Sequence, residues 1–373
     1  MEILFEDQVW YKVPFSSAID YNLQGSPWRF GRLNGQIISK YLWLLNDGRI
    51  GGHINTGESS WEGTNTSLTF FNENGIYTTR FDICYMNSLG NLLLVGKFRF
   101  GTDDGSLHFL YPTTEPLQMA QFANNFRLDR HFEGPKRRNL VILGANESSL
   151  HTSWVRDIDN ADRNWDLFIS FYGSSDNYHE IEQAEYSSLQ TGMRKWLAIH
   201  RAMYNNSPLW DYERIFIIDD DIMTRWSDIN YFFELCRTFD LSLAQPALAH
   251  GCNINHALTE QDDSCILRFT TFVEAMAPCF TREALKICIP CTQMGYYGFG
   301  IDHLWPLLLG FPKTKIGIID AVSINHTRPF GSTYSLQDAI DEERELLSIY
   351  GIPGVLGLHE TGRLMKAYES NKI

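Results

Sequence analysis

The sequence predicts an α/β protein in two parts, an antiparallel β region followed by a mostly parallel sheet with helices on both faces. Three observations carry this. Aromatic and β-branched runs recur at short intervals up to residue 130, a polar stretch then breaks the rhythm, and fully apolar runs alternate with helical segments beyond it.

In the first part the runs are 37–45 (IISKYLWLL), 67–71 (SLTFF), 76–86 (IYTTRFDICYM), 92–100 (LLLVGKFRF) and 107–111 (LHFLY). Between them stand Asn46-Asp47-Gly48, Asn72-Glu-Asn-Gly75, Ser88-Leu-Gly-Asn91 and Asp103-Asp104-Gly105, whose glycines supply the positive φ that tight hairpins need. An all-β domain over 1–132, a sandwich or barrel, is expected. It reads either as a sugar-binding module or as a packing or oligomerisation domain.

Glu133-Gly-Pro-Lys-Arg-Arg138 reads as a linker, and 139–373 as the second domain. There Asn139-Leu-Val-Ile-Leu-Gly144, Trp165-Asp-Leu-Phe-Ile-Ser-Phe-Tyr172 and Arg214-Ile-Phe-Ile-Ile218 have the unbroken apolarity of buried parallel strands. A long helix is expected from about 182 to 204. Right-handed crossovers then place ligands beyond the carboxyl ends of the strands.

The composition, 44% apolar and 20% charged, is that of a globular chain, and the net charge of −14 argues against binding a nucleic-acid backbone. The acidic start MEILFEDQVWYKV is not a signal peptide, and no apolar run reaches the ~20 residues of a membrane helix. A cytoplasmic protein is expected, peripheral to the inner face of the membrane at most. Seven scattered cysteines make no disulfide framework, and Cys288-Ile-Pro-Cys291 lacks the partners of a zinc site.

Chemistry is expected at the strand ends. Asp219-Asp220-Asp221 follows the strand 214–218, and Asp219 and Asp221 can share a hard cation, Mn²⁺ or Mg²⁺. A solvated loop or a cap for the helix near Trp226 is the plainer reading of the same run. His326 ends the apolar stretch 316–325, where it reads as a third ligand or as a structural histidine, and Arg328 follows where a diphosphate could lie. Asp302 opens a helix after Gly295-Tyr-Tyr-Gly-Phe-Gly-Ile, as a helix-start acid or as a base for an acceptor hydroxyl. Glu274, inside the expected apolar strand Phe272-Val-Glu-Ala-Met-Ala-Pro278, is a second catalytic candidate, because an acid there needs a partner or a task.

Together Trp165-Asp-Leu-Phe-Ile, Gly192-Met-Arg-Lys195-Trp196, Tyr212-Glu-Arg-Ile-Phe-Ile-Ile-Asp-Asp-Asp221, Gln245-Pro-Ala-Leu248, Phe272-Val-Glu-Ala-Met-Ala277, Gly298-Phe-Gly-Ile-Asp302 and Ile319-Asp-Ala-Val-Ser-Ile-Asn-His326 resemble the Rossmann-like GT-A nucleotide-sugar glycosyltransferases. The resemblance narrows to a sparsely characterised glycosyltransferase family formerly labelled only a domain of unknown function, and it covers roughly residues 139 to 335. It implies Asp219 and Asp221 as an Asp-x-Asp pair completed by His326, and Asp220 facing the donor. It also implies Gly144 and Ala145 bordering the nucleobase, Lys195 on the donor phosphates, and Asp302 as the base of an inverting transfer. The implied partners are a nucleotide sugar, a UDP-sugar first, and a carbohydrate acceptor, in bacterial surface polysaccharide synthesis. A non-catalytic carbohydrate-binding protein and a metal-dependent phosphohydrolase are the alternatives.

Overall fold

A computed structural model describes residues 2–5, 8–18, 23, 28–45, 48–51, 57–99, 105–112, 128–155, 162–180, 184–191, 193–294, 296–329, 331, 334–350, 352 and 357–367. The turn residues Asn46, Asp47, Asp103 and Asp104, together with Gly192 and Gly295, lie outside them. The chain divides into two compact units. One comprises 1–118 with 344–357, and the other 119–343 with 358–373.

The first unit carries ten strands: β1 Glu2–Phe5, β2 Gln8–Val13, β3 Trp28–Arg32, β4 Ile37–Leu44, β5 Ile50–Gly51, β6 Ser60–Gly63, β7 Leu68–Phe71, β8 Tyr77–Asn87, β9 Leu92–Phe98 and β10 Leu107–Pro112. They form one antiparallel sheet in the order β1-β2-β8-β9-β10-β3-β4-β5, with β7 pairing β8 and β6 pairing β7. Alternation along β9 explains how both faces are covered. Leu92 and Leu94 join a cluster with Trp28, Phe30 and Phe81, whereas Leu93 and Val95 join another with Trp10 and Phe109. The β8–β9 turn shows why its sequence reads as a hairpin. Gly90 takes φ 80°, and Asn87 Oδ1 accepts the backbone N–H of Leu89 and Asn91.

The second unit's strands are β11 Asn139–Ala145, β12 Trp165–Phe171, β13 Tyr186–Leu189, β14 Arg214–Ile218, β15 Ile222–Met223, β16 Leu243–Leu248, β17 Cys265–Thr270, β18 Cys279–Thr281, β19 Ile316–His326 and β20 Glu360–Met365. Its helices are α1 Thr152–Val155, α2 Lys195–Ala202, α3 Trp226–Thr238, α4 Arg282–Cys288 and α5 Ile301–Leu308, and α6 Leu336–Ile349 begins in it. The sheet order is β13-β12-β11-β14-β18-β16-β19-β17-β20, with β15 on β19. Every residue of β11, β12 and β14 is buried, and the core between sheet and helices gathers Val141, Leu167, Phe216, Phe232 and Phe233.

Several expectations change here. The sheet is mixed rather than mostly parallel. The pairs β11–β12, β11–β14, β12–β13 and β16–β19 are parallel, whereas β18 runs antiparallel between β14 and β16 and β17 runs antiparallel to both its neighbours. The long helix reduces to α2, because Tyr186-Ser-Ser-Leu189 adds an edge strand to β12 and its serines favour hydrogen bonding outside helices. The segment around Glu274 is loop rather than strand. The stretch 133–138 is pinned to the second unit, where Arg137 Nη1 meets Asp166 Oδ1 at 2.6 Å and Arg138 pairs with Glu213.

Candidate functional site

β14 ends at Ile218 and the chain turns through Asp219, Asp220 and Asp221 before β15 pairs with β19. That pairing sets Ile222 opposite His326 and so brings Asp221 and His326 together, Oδ2 to Nε2 3.4 Å. His326 Nδ1 lies 3.0 Å from the Asn253 carbonyl oxygen. A carbonyl only accepts, so Nδ1 carries a proton and, in the neutral ring, Nε2 presents its lone pair towards Asp221. The other carboxylate oxygen, Asp221 Oδ1, is buried without a hydrogen-bond partner. A buried acceptor left open costs about 1–3 kcal/mol, more when charged, so such an atom marks a place where a ligand would be repaid with affinity. Burial lowers the His326 pKa, but the hydrogen bond and charge of Asp221 outweigh it and leave the pKa raised.

The two neighbouring aspartates are engaged elsewhere. Asp219 Oδ1 takes the Lys195 ammonium at 2.6 Å, and the same Nζ reaches the carbonyls of Ala275 at 2.8 Å and Met276 at 3.1 Å. Lys195 therefore joins the acidic turn to the loop that carries Glu274, with all three of its protons engaged. Burial raises the Asp219 carboxyl, and the charge of Asp221 adds to it, although 34% of the side chain stays accessible. Asp220 accepts from Ser149 Oγ at 2.9 Å and Tyr172 OH at 2.8 Å, and Arg328 Nη1 stands 3.3 Å from its other oxygen. It clasps the loop after β11 to the acidic turn. Arg328 Nη2 also donates to the Ser148 carbonyl at 3.0 Å.

Glu274 and Asp302 differ sharply. Asp302, at the start of α5, accepts the backbone N–H of Ala275 on Oδ2 at 3.2 Å and its neighbour's N–H, from His303, on Oδ1 at 3.1 Å. Burial holds its pKa up. Glu274 takes one hydrogen bond, from Asn255 Nδ2 to Oε1 at 2.8 Å, and its Oε2 is buried with no partner. Burial pushes its carboxyl up to about 7, with the charge of Asp302 adding and His326 opposing. Gln245 fixes the loop from below, its Oε1 accepting Glu274 N at 2.6 Å. One turn thus serves three groups: Asn253 holds His326, Asn255 holds Glu274, and His256 lies within the field of Asp302.

The structure therefore brings Asp221, His326, Glu274 and Asp302 to one place and sets Asp219 against Lys195 instead of completing a triad. Among the described residues no three His, Cys, Asp or Glu side chains gather as a metal's ligand set. The residues still suit a hard cation shared with substrate. An oriented imidazole nitrogen and an open carboxylate oxygen are two protein donors, and Mg²⁺-type ions commonly complete their shell with phosphates and water. Gly144 and Ala145 are buried in β11, so the accessible edge at that strand end is Asn146–Ser148 instead. Sequence reasoning missed Asn253 and Asn255 and gave Gln245, quoted only as part of a motif, no role, since a lone amide in a loop or strand carries no pattern of its own.

No protein-family profile matches the chain, and no curated protein matches it. Part of the chain is similar to crystal structures of Staphylococcus aureus TarS 1–349. The UDP-GlcNAc complex matches at 12% identity and TM-score 0.40, over 57% of this chain and 66% of that one. The UDP complex matches at 10% identity and TM-score 0.36, over 57% and 65%. A Desulfovibrio desulfuricans G20 protein, provisionally a nucleotide-diphospho-sugar transferase, matches at 11% identity and TM-score 0.32, over 57% of this chain and 98% of that one. The similarity spans just under two thirds of TarS 1–349.

Proposed function

We propose that the second unit transfers a sugar from a nucleotide-sugar donor to a hydroxyl of a carbohydrate acceptor, with Glu274 as general base. The observation that carries this reading is the Glu274 carboxylate, one oxygen oriented by Asn255 and the other buried and open, with a pKa of about 7 beside the Asp221–His326 pair. A base whose pKa matches the working pH balances availability against driving force.

In this reading Asp221 and His326 would hold Mn²⁺ or Mg²⁺, and such an ion would supply charge neutralisation for a departing nucleotide diphosphate. Asp220 with Ser149, Tyr172 and Arg328 keeps the loop after β11 in place for the nucleotide. Lys195 fixes Asp219 and the carbonyls of Ala275 and Met276, which sets the backbone from which Glu274 projects. Glu274 Oε2 accepts the proton of the acceptor hydroxyl as its oxygen attacks the anomeric carbon and the bond to the diphosphate breaks. Asp302 raises the proton affinity of Glu274 through its charge. Attack in line with the leaving group inverts the anomeric configuration.

The discriminating measurement is calorimetric titration with UDP, the nucleotide in one TarS complex, with and without Mn²⁺, followed by a nucleotide-sugar hydrolysis screen. Ion-dependent nucleotide binding and slow donor hydrolysis are expected. Absence of binding by any nucleoside diphosphate with either ion would remove the proposal, and so would phosphate release from simple esters without donor cleavage.

A further inference from the structure

Arg194 stands directly before Lys195 and is not used by the reaction just described. Its guanidinium lies over the rings of Tyr296 and Tyr297, 5.3 and 5.6 Å from their centroids. Among the described residues it makes no hydrogen bond and no ion pair, although the chain has a net charge of −14. Lys195 and Arg328, the neighbouring cations of the site, are both engaged. Arg194 thus keeps planar, paired N–H groups oriented by aromatic faces, an arrangement matched to a phosphoryl or carboxylate group.

The platform beneath it is rigidly held. The Glu342 carboxylate accepts the backbone N–H of Tyr296 at 2.6 Å and of Tyr297 and Gly298 at 2.8 Å each. Gly298 has φ 79°, and a Cβ there would come within 2.5 Å of the Trp196 ring, so the loop packs tightly against α2. Tyr297 and Phe299 each contact the Tyr334 ring, at 5.8 and 5.7 Å. Burial raises the Tyr334 hydroxyl, and the charges of Asp219, Arg194 and Glu274 all act on it. The platform is tied to the Glu274 loop through Lys195, the residue after Arg194, whose ammonium holds the carbonyls of Ala275 and Met276.

We infer that Arg194, seated on Tyr296 and Tyr297, binds a negatively charged group, phosphoryl or carboxylate, on the acceptor. This rests on the sugar-transfer reading, since the acceptor hydroxyl must come to Glu274, whereas the donor diphosphate belongs at Asp221 and His326. The aromatic rings offer apolar faces for the sugar, and Arg194 supplies the charge selection.

Calorimetric titration with glucose, glucose 6-phosphate and glucuronate tests this on the whole chain. The wild type is expected to bind one or both anionic sugars at least tenfold more tightly than glucose. Arg194→Gln removes that preference, Arg194→Lys keeps part of it, and Tyr297→Leu, which takes away one ring, weakens it less than Arg194→Gln. UDP binding with Mn²⁺ stays within twofold in all three variants, and a thermal melt confirms that each is folded. The inference is overturned if the wild type shows no preference for either anionic sugar. It is also overturned if folded Arg194→Gln retains the preference, or if that variant loses UDP binding instead. A wild type that prefers anionic sugars through Arg194 but binds no nucleotide would sink the sugar-transfer reading alone.

Discussion

The second unit carries two contrasting regions at opposite ends of its parallel strands, an open groove whose charges are matched and a cluster of loops whose buried carboxylates are not. Near the amino ends of β11 and β14 lies an open groove of about 1080 Å³, lined by Lys136, Trp210, Asp211, Arg282, Glu283 and Lys286 among others. Its charges are mostly matched: Lys136 with Asp211, Arg282 with Glu283 at 3.1 Å, and Lys286 over the Trp210 ring. At the carboxyl ends, by contrast, Asp221 Oδ1 and Glu274 Oε2 are buried without partners. Volume measures what fits, whereas open valences on buried charges measure what the protein holds ready.

Removing the open carboxylate should have the largest effect. Glu274→Gln keeps the shape and leaves an oxygen to accept from Asn255, so transfer should fall by about 10²–10⁴-fold while UDP binding is unchanged. In the wild type kcat/KM should rise with pH through a midpoint near 7, and that limb should vanish from the residual rate of the variant. A Glu274→Gln enzyme with wild-type rates would move the base elsewhere, with Asp302 next to be tried.

The same carboxyl links pH to stability. Its folded pKa of about 7 stands above the ordinary 4.5, so between these values the folded state binds the additional proton. Stability therefore falls as pH rises from 4.5 to 7, by up to about 3 kcal/mol from this group. Urea midpoints at pH 5 and pH 8 check it. The loss in the wild type should exceed that in Glu274→Gln by this amount, and equal losses would show that the carboxyl titrates normally.

Asp221→Asn should weaken ion-dependent UDP binding by at least about 10–100-fold, the loss that replacing a residue merely supporting a ligand causes, measured by titrating Mn²⁺ at fixed UDP. Asp219→Asn, where Lys195 holds the replaced oxygen, should weaken it less. The reverse ranking would mean that Asp219 turns from Lys195 to the ion once substrate arrives.

How much of this could be read in the sequence follows from which signals are local. The strands 139–145, 165–171 and 214–218 were legible because burial on both faces writes an unbroken apolar run. The β8–β9 hairpin was legible because Asn87 and Gly90 form a turn within five residues. β1, β2 and β3 were not singled out, since their burial depends on partners distant in the chain. β1 and β2 present alternating or mostly exposed positions that mimic loop. At the site, the acidic run and His326 stood out by type and place. The different states of Glu274 and Asp302 did not, because they depend on Asn255 donating to Glu274 and on the backbone N–H groups of Ala275 and His303 donating to Asp302.

The smallest expected effect lies in the groove, and it tests the comparison from its other side. Arg282→Ala removes a cation that pairs with Glu283 and whose Nη1 lies 3.4 Å from the Trp210 carbonyl. Both partners are solvated, so the ion pair contributes no more than about 0.2–1 kcal/mol. Transfer rate and UDP affinity should stay within twofold, and the melting temperature should move by only a few degrees. A tenfold loss of transfer with unchanged UDP affinity would show that the groove takes part in binding the acceptor. The matched charges of Lys136, Asp211, Arg282 and Glu283 would then be a resting arrangement that substrate rearranges, and the open valences at the carboxyl ends would no longer distinguish the working end of the sheet.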